Sequence, residues 1–139
     1  MAATHVLQRR LERAVSRFVC GEGTTEAAFA VLADAGRWGI TPATDGVARR
    51  LQDALVQAVA GIANGEVQVS VARAHAILDV AHALALTLNT WEAQNQYYVL
   101  ITTDRERRWP GAVLGEIRRL GERLSFHLRE WEALAARAA

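Results

Sequence analysis

The stretch from Ser70 to Ile101 constrains this chain more than any other part of the sequence. Its first half carries only Arg73 and Asp79 as charges, among apolar residues at nearly every helical position. A helix that is apolar on all sides lies inside a bundle or a membrane. The run Ala76–Leu88 has thirteen residues, including Asp79 and one histidine, whereas a membrane span needs about twenty apolar residues. The stretch therefore favours a helix buried in a bundle.

A second helix is predicted to begin inside this stretch, at Asn89. Asn89 and Glu92 have the spacing of an N-cap with an acid three residues later, which is close to a capping box. Two helices therefore meet near Leu88–Asn89, and the rest of the chain has to cover them.

Apolar residues at helical spacing, together with capping residues, predict four further helices. Counted along the chain, the second of the six helices is expected to stop at Gly36 and the third to begin at Thr41-Pro42. The fourth, which is the first half of the stretch described above, is expected to begin at Ser70. The short link that contains Trp38 should lie against the core. The predicted ranges in chain order are 5–20, 25–35, 42–63, 70 to 84 or 86, 89–103 and a long last helix opening at 109–110.

The periodicity also predicts which side chains face the core. In the first helix these are Leu7, Leu11, Ala14, Val15 and Phe18, and in the second they are Phe29 and Leu32. In the third they are Val47, Leu51, Ala54, Leu55, Ala58 and Ile62. In the last they are Ile117, Leu120, Leu124, His127, Trp131 and Leu134, with Gly121 on the same face.

These patterns together define one fold class. At 139 residues the chain has the length of a single domain with one core. No alternation of strand type competes with the helical pattern. The sequence predicts an all-α fold, a single-domain bundle of about six helices over residues 1–139.

Composition excludes several classes of function. The net charge of +1 gives no reason to expect a nucleic acid or an anionic membrane as partner. Cys20 is the only cysteine, which excludes a disulfide framework and a cysteine-based zinc site. Arginines near the N-terminus occupy the place where a signal peptide would have its apolar core. We therefore expect a cytoplasmic protein without membrane contact.

His75, Asp79 and His82 form one candidate site for a divalent metal. Their spacing of i, i+4 and i+7 places them within a sector of about 60° on one helix face. Two imidazoles and a carboxylate are a known ligand set, but a single helix needs a further ligand from elsewhere. The alternative, which we favour, is a polar seam in which Asp79 bonds to a histidine or an arginine of a neighbouring helix. No cofactor is predicted.

Trp91, Gln94, Asn95 and Tyr98 form a second candidate site, a ligand or partner surface on the fifth helix. An aromatic ring beside two amides and a phenol can bind sugars by stacking and by hydrogen bonds in both directions. The alternative is structural, with the amides bonded to loop backbone and the aromatic rings packed on the last helix. We expect Trp91 to be mostly buried and both amides to turn towards a groove beside the last helix.

The run from Ala33 to Tyr98 resembles a known family. It contains Ala-Asp-Ala-Gly-Arg-Trp-Gly-Ile-Thr-Pro and, above all, Asn89-Thr90-Trp91-Glu92-Ala93-Gln94-Asn95-Gln96-Tyr97-Tyr98. This run is similar to the C-terminal helical region of bacterial α-amylase/α-mannosidase-like proteins related to family 57 glycoside hydrolases. The signature residues that match are Asn89, Trp91, Ala93, Gln94, Asn95, Tyr97 and Tyr98. Residues 119–124 also resemble the closing helix of that family.

The resemblance implies a function without implying catalysis. In that family the catalytic carboxylates belong to a barrel that this chain lacks, so no catalytic residue is carried over. The resemblance implies a non-catalytic accessory helical domain that packs against a catalytic barrel and lends Trp91, Gln94 and Asn95 to a glycan surface. Two alternatives stay open. One is a freestanding helical interaction module that forms homo-oligomers, and the other is a metal-dependent enzyme using His75, Asp79 and His82.

Overall fold

The computed structural model of the chain describes residues 2–103 and 109–124. Within these ranges there are six α-helices and no strand, which confirms the predicted all-α class. The helices are α1 (Ala2–Val19), α2 (Thr25–Arg37), α3 (Asp45–Ala63), α4 (Val67–Ala83), α5 (Trp91–Thr103) and α6 (Gly111–Arg123). None of these helices is both long and apolar enough to cross a membrane.

The chain divides into two compact units. The first unit takes in the described residues of 1–54 and 79–88, and the second takes in those of 55–78 and 89–139. α3 and α4 each contribute residues to both units, and the prediction of one domain over 1–139 stays a prediction.

The cores of α1 and α3 follow the predicted pattern closely. Helix α1 buries Leu7, Leu11, Ala14 and Val15, as predicted, while Phe18 is half-buried. In α3, all six residues predicted to face the core are buried. Burying a leucine or valine side chain of this kind contributes about 1.5–3 kcal/mol. The apolar periodicity was therefore a reliable guide for these two helices.

The start of α3 was predicted wrongly at Thr41-Pro42, because a side chain of α1 binds the backbone of the preceding loop. The Gln8 amide nitrogen donates to the Ala43 carbonyl oxygen at 2.7 Å, and the Ala43 amide donates to Gln8 Oε1 at 2.7 Å. Both backbone groups of Ala43 are thus bonded outside a helix. α3 begins at Asp45, after this clamp.

The end of α2 was also predicted wrongly, because Gly36 lies inside the helix. The chain reverses at Gly39, which has a φ of +63°, and the Ile40 amide donates to the Ala35 carbonyl at 2.9 Å. This is the hydrogen-bond pattern of a Schellman motif, in which glycine follows the C-cap. Trp38 is that C-cap. It is 72% exposed and does not lie against the core as predicted.

The buried face of α2 differs from the predicted one. Phe29 is exposed and Leu32 is half-buried. The buried residues are instead the small side chains Ala28, Val31 and Ala35. Their spacing of three and four places them on one stripe, and small side chains allow the helix to pack closely. Side-chain size, which periodicity ignores, decided which stripe of α2 is buried.

Ser70 does not cap α4, as had been predicted, because the helix begins one turn earlier. The Ser70 amide donates to the Glu66 carbonyl at 3.0 Å, so Ser70 is already in the helical ladder. Its side chain is buried against Gly61 of α3, where a Cβ atom would lie 3.3 Å from Ser70 Cβ. Ser70 therefore serves helix packing in the second unit.

α4 is buried on one side only, contrary to the prediction of a helix buried all round. Val69 is 70% exposed, and Asp79 and His82 are also exposed. The exposed side of the helix includes the alanines Ala72 and Ala83, and exposing a methyl group costs little compared with exposing a leucine.

α6 presents its predicted core side chains. Ile117, Leu120 and Leu124 are buried, and Gly121 is buried on the same side. The continuation of this seam through His127, Trp131 and Leu134 lies outside the described residues.

Candidate functional site

α5 begins with a side-chain cap. The Trp91 amide donates to Asn89 Oδ1 at 3.1 Å, and the first backbone hydrogen bond of the helix runs from Gln94 to the Thr90 carbonyl at 2.8 Å. The Asn89 oxygen satisfies one of the donors that a helix start leaves without a partner. Thr90, whose carbonyl accepts first, thus holds the N-cap position that the sequence had assigned to Asn89, and Asn89 caps the first turn from one residue further back.

The inner face of α5 packs on α6 in the second unit. Ala93, Tyr97 and Leu100 are buried, and the Tyr97 hydroxyl donates to the Ile117 carbonyl oxygen at 3.0 Å. The Tyr97 ring lies directly over Gly121, where a Cβ atom would be 2.7 Å from the ring carbon that carries the hydroxyl. Gly121 therefore makes room for an aromatic side chain.

The amide nitrogen of Gln94 belongs to this packing. It donates to the Leu124 carbonyl oxygen and lies 3.3 Å from Thr90 Oγ1. The carbonyl groups at the end of a helix lack partners within the helix. The Gln94 amide nitrogen provides the partner of one such carbonyl, that of Leu124 directly after α6.

The face of α5 opposite the packed one consists of Trp91, Asn95 and Tyr98, which we call the α5 outer face. Trp91 is 69% exposed and Tyr98 is 48% exposed, and Asn95 between them is also exposed. The expectation of a mostly buried Trp91 is therefore wrong. At 100° per residue the three positions lie within about 60° of one another and about 180° from the buried face. Helix geometry alone turns Trp91 outwards once Ala93 and Tyr97 face the core.

The α5 outer face has the chemistry of a binding surface. Its two aromatic rings offer apolar area, and the Asn95 amide offers both a donor and an acceptor. Glu92 is the only charged residue of α5. Glycoside hydrolysis needs two carboxyl groups across the scissile bond, and α5 contributes only one.

His75, the first residue of the candidate metal set, is buried and bonded through both ring nitrogens. The Arg123 guanidinium lies 3.1 Å from Nδ1 and also donates to the His75 carbonyl at 3.2 Å. A guanidinium only donates, so Nδ1 accepts and the ring hydrogen sits on Nε2. Nε2 lies 3.1 Å from the Glu116 carbonyl oxygen and 3.4 Å from its Oε2. This histidine joins α4 to α6 within the second unit.

The other two residues of the metal set are on exposed positions of α4. Asp79 and His82 are exposed, and Asp79 has an interaction of its own. Over residues 2–103 and 109–124, no group of three His, Cys, Asp or Glu side chains could hold a metal ion. His75 thus bonds to an arginine of another helix, the type of contact that the polar-seam alternative had assigned to Asp79.

Sequence reasoning missed the role of Tyr97. Tyr97 had been named only as part of the segment that resembles a known family, with no structural role. Gly121 had been named only as a residue of the last helix, with no link to Tyr97. A glycine four residues after a buried isoleucine on α6 was the available signal, because a missing side chain in a packed face usually accommodates a large neighbour.

The described helices define an all-α protein with an uncharged aromatic face on α5. Comparison with models of protein families, with curated proteins and with solved structures gives no match.

Proposed function

We propose that this chain is a non-catalytic accessory helical domain that docks onto a catalytic barrel through the α5 outer face. The observation that carries the proposal is the exposure of Trp91 and Tyr98 on the side of α5 that the core does not use. Burying the ring of Trp91 or of Tyr98 in the core would have stabilised the fold. Two exposed aromatic rings on one helix face together form a patch of the kind that marks interaction sites, whereas a single exposed ring does not.

The composition of the face favours a protein partner. Tyrosine and tryptophan are enriched at protein interfaces and dominate their binding energy, whereas charged residues are depleted at the interface centre. The outer face follows this pattern, with two aromatic rings and one amide. The resemblance to α-amylase/α-mannosidase-like proteins supplies the class of partner, a family 57-like barrel in the cytoplasm of a bacterium.

A glycan is the second candidate ligand for the same face. The exposed Asn95 beside the exposed Trp91 is the observation that favours it, since sugars are held by stacking together with amide hydrogen bonds. Gln94 no longer contributes, because its amide is bonded to Leu124. The remaining site has one amide where the sequence had suggested two, which weakens the case for a glycan.

The test is co-purification with a family 57-like barrel protein from the same organism. We expect the chain to co-elute with the barrel on size-exclusion chromatography, and the double variant Trp91→Ala/Tyr98→Ala to elute alone. Trp38→Ala is the matched control, because Trp38 is as exposed as Trp91 (72% against 69%) but lies in the other unit. Loss of binding in the control and the double variant alike would contradict the assignment of this face.

Two further experiments test the other candidate partners, a glycan and a second copy of the chain. Saturable quenching of tryptophan fluorescence by a soluble α-glucan, lost in Trp91→Phe, would show that the ligand of the α5 outer face is a glycan and not a barrel. Sedimentation of the chain alone at twice its mass of 15.2 kDa, returning to the monomer in the double variant, would identify a second copy of the chain as the partner.

A further inference from the structure

A groove between α1 and α2 in the first unit carries an unusual concentration of arginines. Arg10, Arg13 and Arg17 line one side of it, and the cavity has a volume of about 590 Å³. The three positions fall within about 60° on α1, so they form a single basic stripe. Pockets for small molecules have volumes of about 300–1,000 Å³, and this groove lies in that range.

Two of the three arginines have uncommitted charge. The Asp34 carboxylate forms ion pairs with Arg10 at 3.1 Å and with Arg37 at 3.1 Å. The charge of Arg10 is therefore already paired. Within the described residues, Arg13 and Arg17 have no ion-pair partner. Glu22 is the one carboxylate among the lining residues. The lining therefore keeps an excess of positive charge, and like charges four residues apart are unfavourable on an isolated helix.

The opposite side of the groove combines a hydroxyl with an apolar floor. Thr24 precedes α2 as its N-cap residue, but its side chain makes no capping hydrogen bond. Its hydroxyl is therefore not engaged with the helix that it precedes. Ala14, Gly23, Ala27, Ala30 and Val31 complete the lining, and these small residues leave room for an apolar group beside the cations.

We propose that this groove binds a small phosphate monoester that carries an apolar or aromatic group. Guanidinium groups match phosphate oxygens in charge and in hydrogen-bond geometry, and such charge-assisted bonds are about twice as strong as neutral ones. Arg13 and Arg17 hold the phosphate, the Thr24 hydroxyl donates to it, and the alanine floor receives the apolar group. This site is separate from the α5 outer face and does not depend on the proposed function.

Isothermal titration with phenyl phosphate tests the proposal, with inorganic phosphate and phenol as reference ligands. We expect phenyl phosphate to bind most tightly, because only it engages the arginines and the apolar floor together. Arg13→Gln/Arg17→Gln should weaken it by about tenfold or more. Arg9→Gln is the matched control, since Arg9 is an exposed arginine of the same helix that does not line the groove, and it should change affinity by less than about twofold.

Thr24→Val supplies an independent readout. Because the hydroxyl makes no capping bond, this variant should keep its melting temperature and still bind phenyl phosphate several-fold more weakly. Equal affinity in the double variant and in Arg9→Gln, or no saturable binding of phenyl phosphate, would overturn the proposal. Arginine-dependent binding to vesicles containing phosphatidic acid, without binding of phenyl phosphate, would also overturn it, because the phosphate monoester would then belong to a lipid.

Discussion

Tyr97 and Gly121 are in close contact in the second unit. The fully buried Tyr97 ring fills the space that a side chain at position 121 would need, and its hydroxyl reaches the Ile117 carbonyl one turn away on α6. Packing and hydrogen bonding are thus combined in one side chain. The angle and register of α5 against α6 depend on a glycine at this position.

Gly121→Ala should lower the free energy of unfolding by about 1–3 kcal/mol, as overpacking of a core typically does. Gly115→Ala in the same helix is the control. Nothing lies within 4 Å of a Cβ atom at Gly115, so that variant should gain about 1 kcal/mol from helix propensity. Urea denaturation followed by circular dichroism measures both. Two variants of equal stability would show that the ring is not pressed against Gly121.

The residue scale also shows what the sequence could not reveal. Trp91 and Tyr97 are both aromatic residues of one helix, and the sequence suggested that Trp91 was the buried one. The outcome depended on which neighbour could receive a ring. Gly121 receives Tyr97, whereas Trp91 lies on the exposed side of the helix. Such complementarity lies in the three-dimensional packing of α5 on α6 and has no signal in the periodicity of α5 alone.

At the scale of the elements, α4 ends in a conformation that its residue does not favour. Ala85 has a φ of +54°, and the Leu86 amide donates to the Ala81 carbonyl at 2.8 Å. This is the same type of helix end that α2 makes with Gly39. An alanine in the left-handed region is strained, whereas glycine adopts that region freely.

Ala85→Gly should therefore raise the free energy of unfolding by about 0.5–1 kcal/mol, after allowing for the greater entropy of glycine in the unfolded chain. Ala72→Gly is the control, because Ala72 is an exposed residue inside the same helix and should lose about 1 kcal/mol. Thermal melts of the two variants should shift in opposite directions. A loss of stability in Ala85→Gly would contradict the left-handed conformation of residue 85.

Asn89→Ala should cost about 1 kcal/mol, because the Trp91 amide would lose its side-chain acceptor at the start of α5. Asn89→Asp provides the comparison, since aspartate is an equally good capping residue and should retain most of the stability. The measurement is the unfolding midpoint in urea. An unchanged midpoint for Asn89→Ala would remove the cap from the account.

Helix ends were less predictable than helices for a specific reason. The existence of all six helices followed from periodic apolar residues such as Leu7, Leu11 and Val15. The start of α3 depended instead on the Gln8 amide, which lies 35 residues away from Ala43. Serine is likewise a common capping residue, but Ser70 is buried inside α4 because Gly61 leaves space for its side chain. Long-range contacts of this kind override local capping preferences.

At the scale of the whole molecule, we predict that folding does not depend on a metal ion. Both ring nitrogens of His75 are engaged with Arg123 and Glu116, so the ring has no free lone pair to offer. A ligand that binds only the folded chain would raise the melting temperature. Addition of a chelator should leave the melting temperature unchanged. Elemental analysis showing one zinc or iron ion per chain would contradict this prediction.

Residues 89–98 divide into two sets. Asn89, Ala93, Gln94 and Tyr97 cap or pack α5, whereas Trp91, Asn95 and Tyr98 are exposed. The sequence predicted that this segment was important but grouped Gln94 with the binding surface. The central claim of our account is that the fold does not need the exposed set, which leaves it available to a partner.

The free energy of unfolding of Trp91→Ala/Tyr98→Ala tests this claim most directly, measured by circular dichroism in urea beside Tyr97→Phe. We predict that the double variant stays within about 0.5 kcal/mol of the wild type, as expected for exposed positions. Tyr97→Phe should lose about 1 kcal/mol with its buried hydrogen bond. A loss of about 3–5 kcal/mol in the double variant, the cost of truncating a core aromatic residue, would show that the outer face is part of the core and would contradict the account.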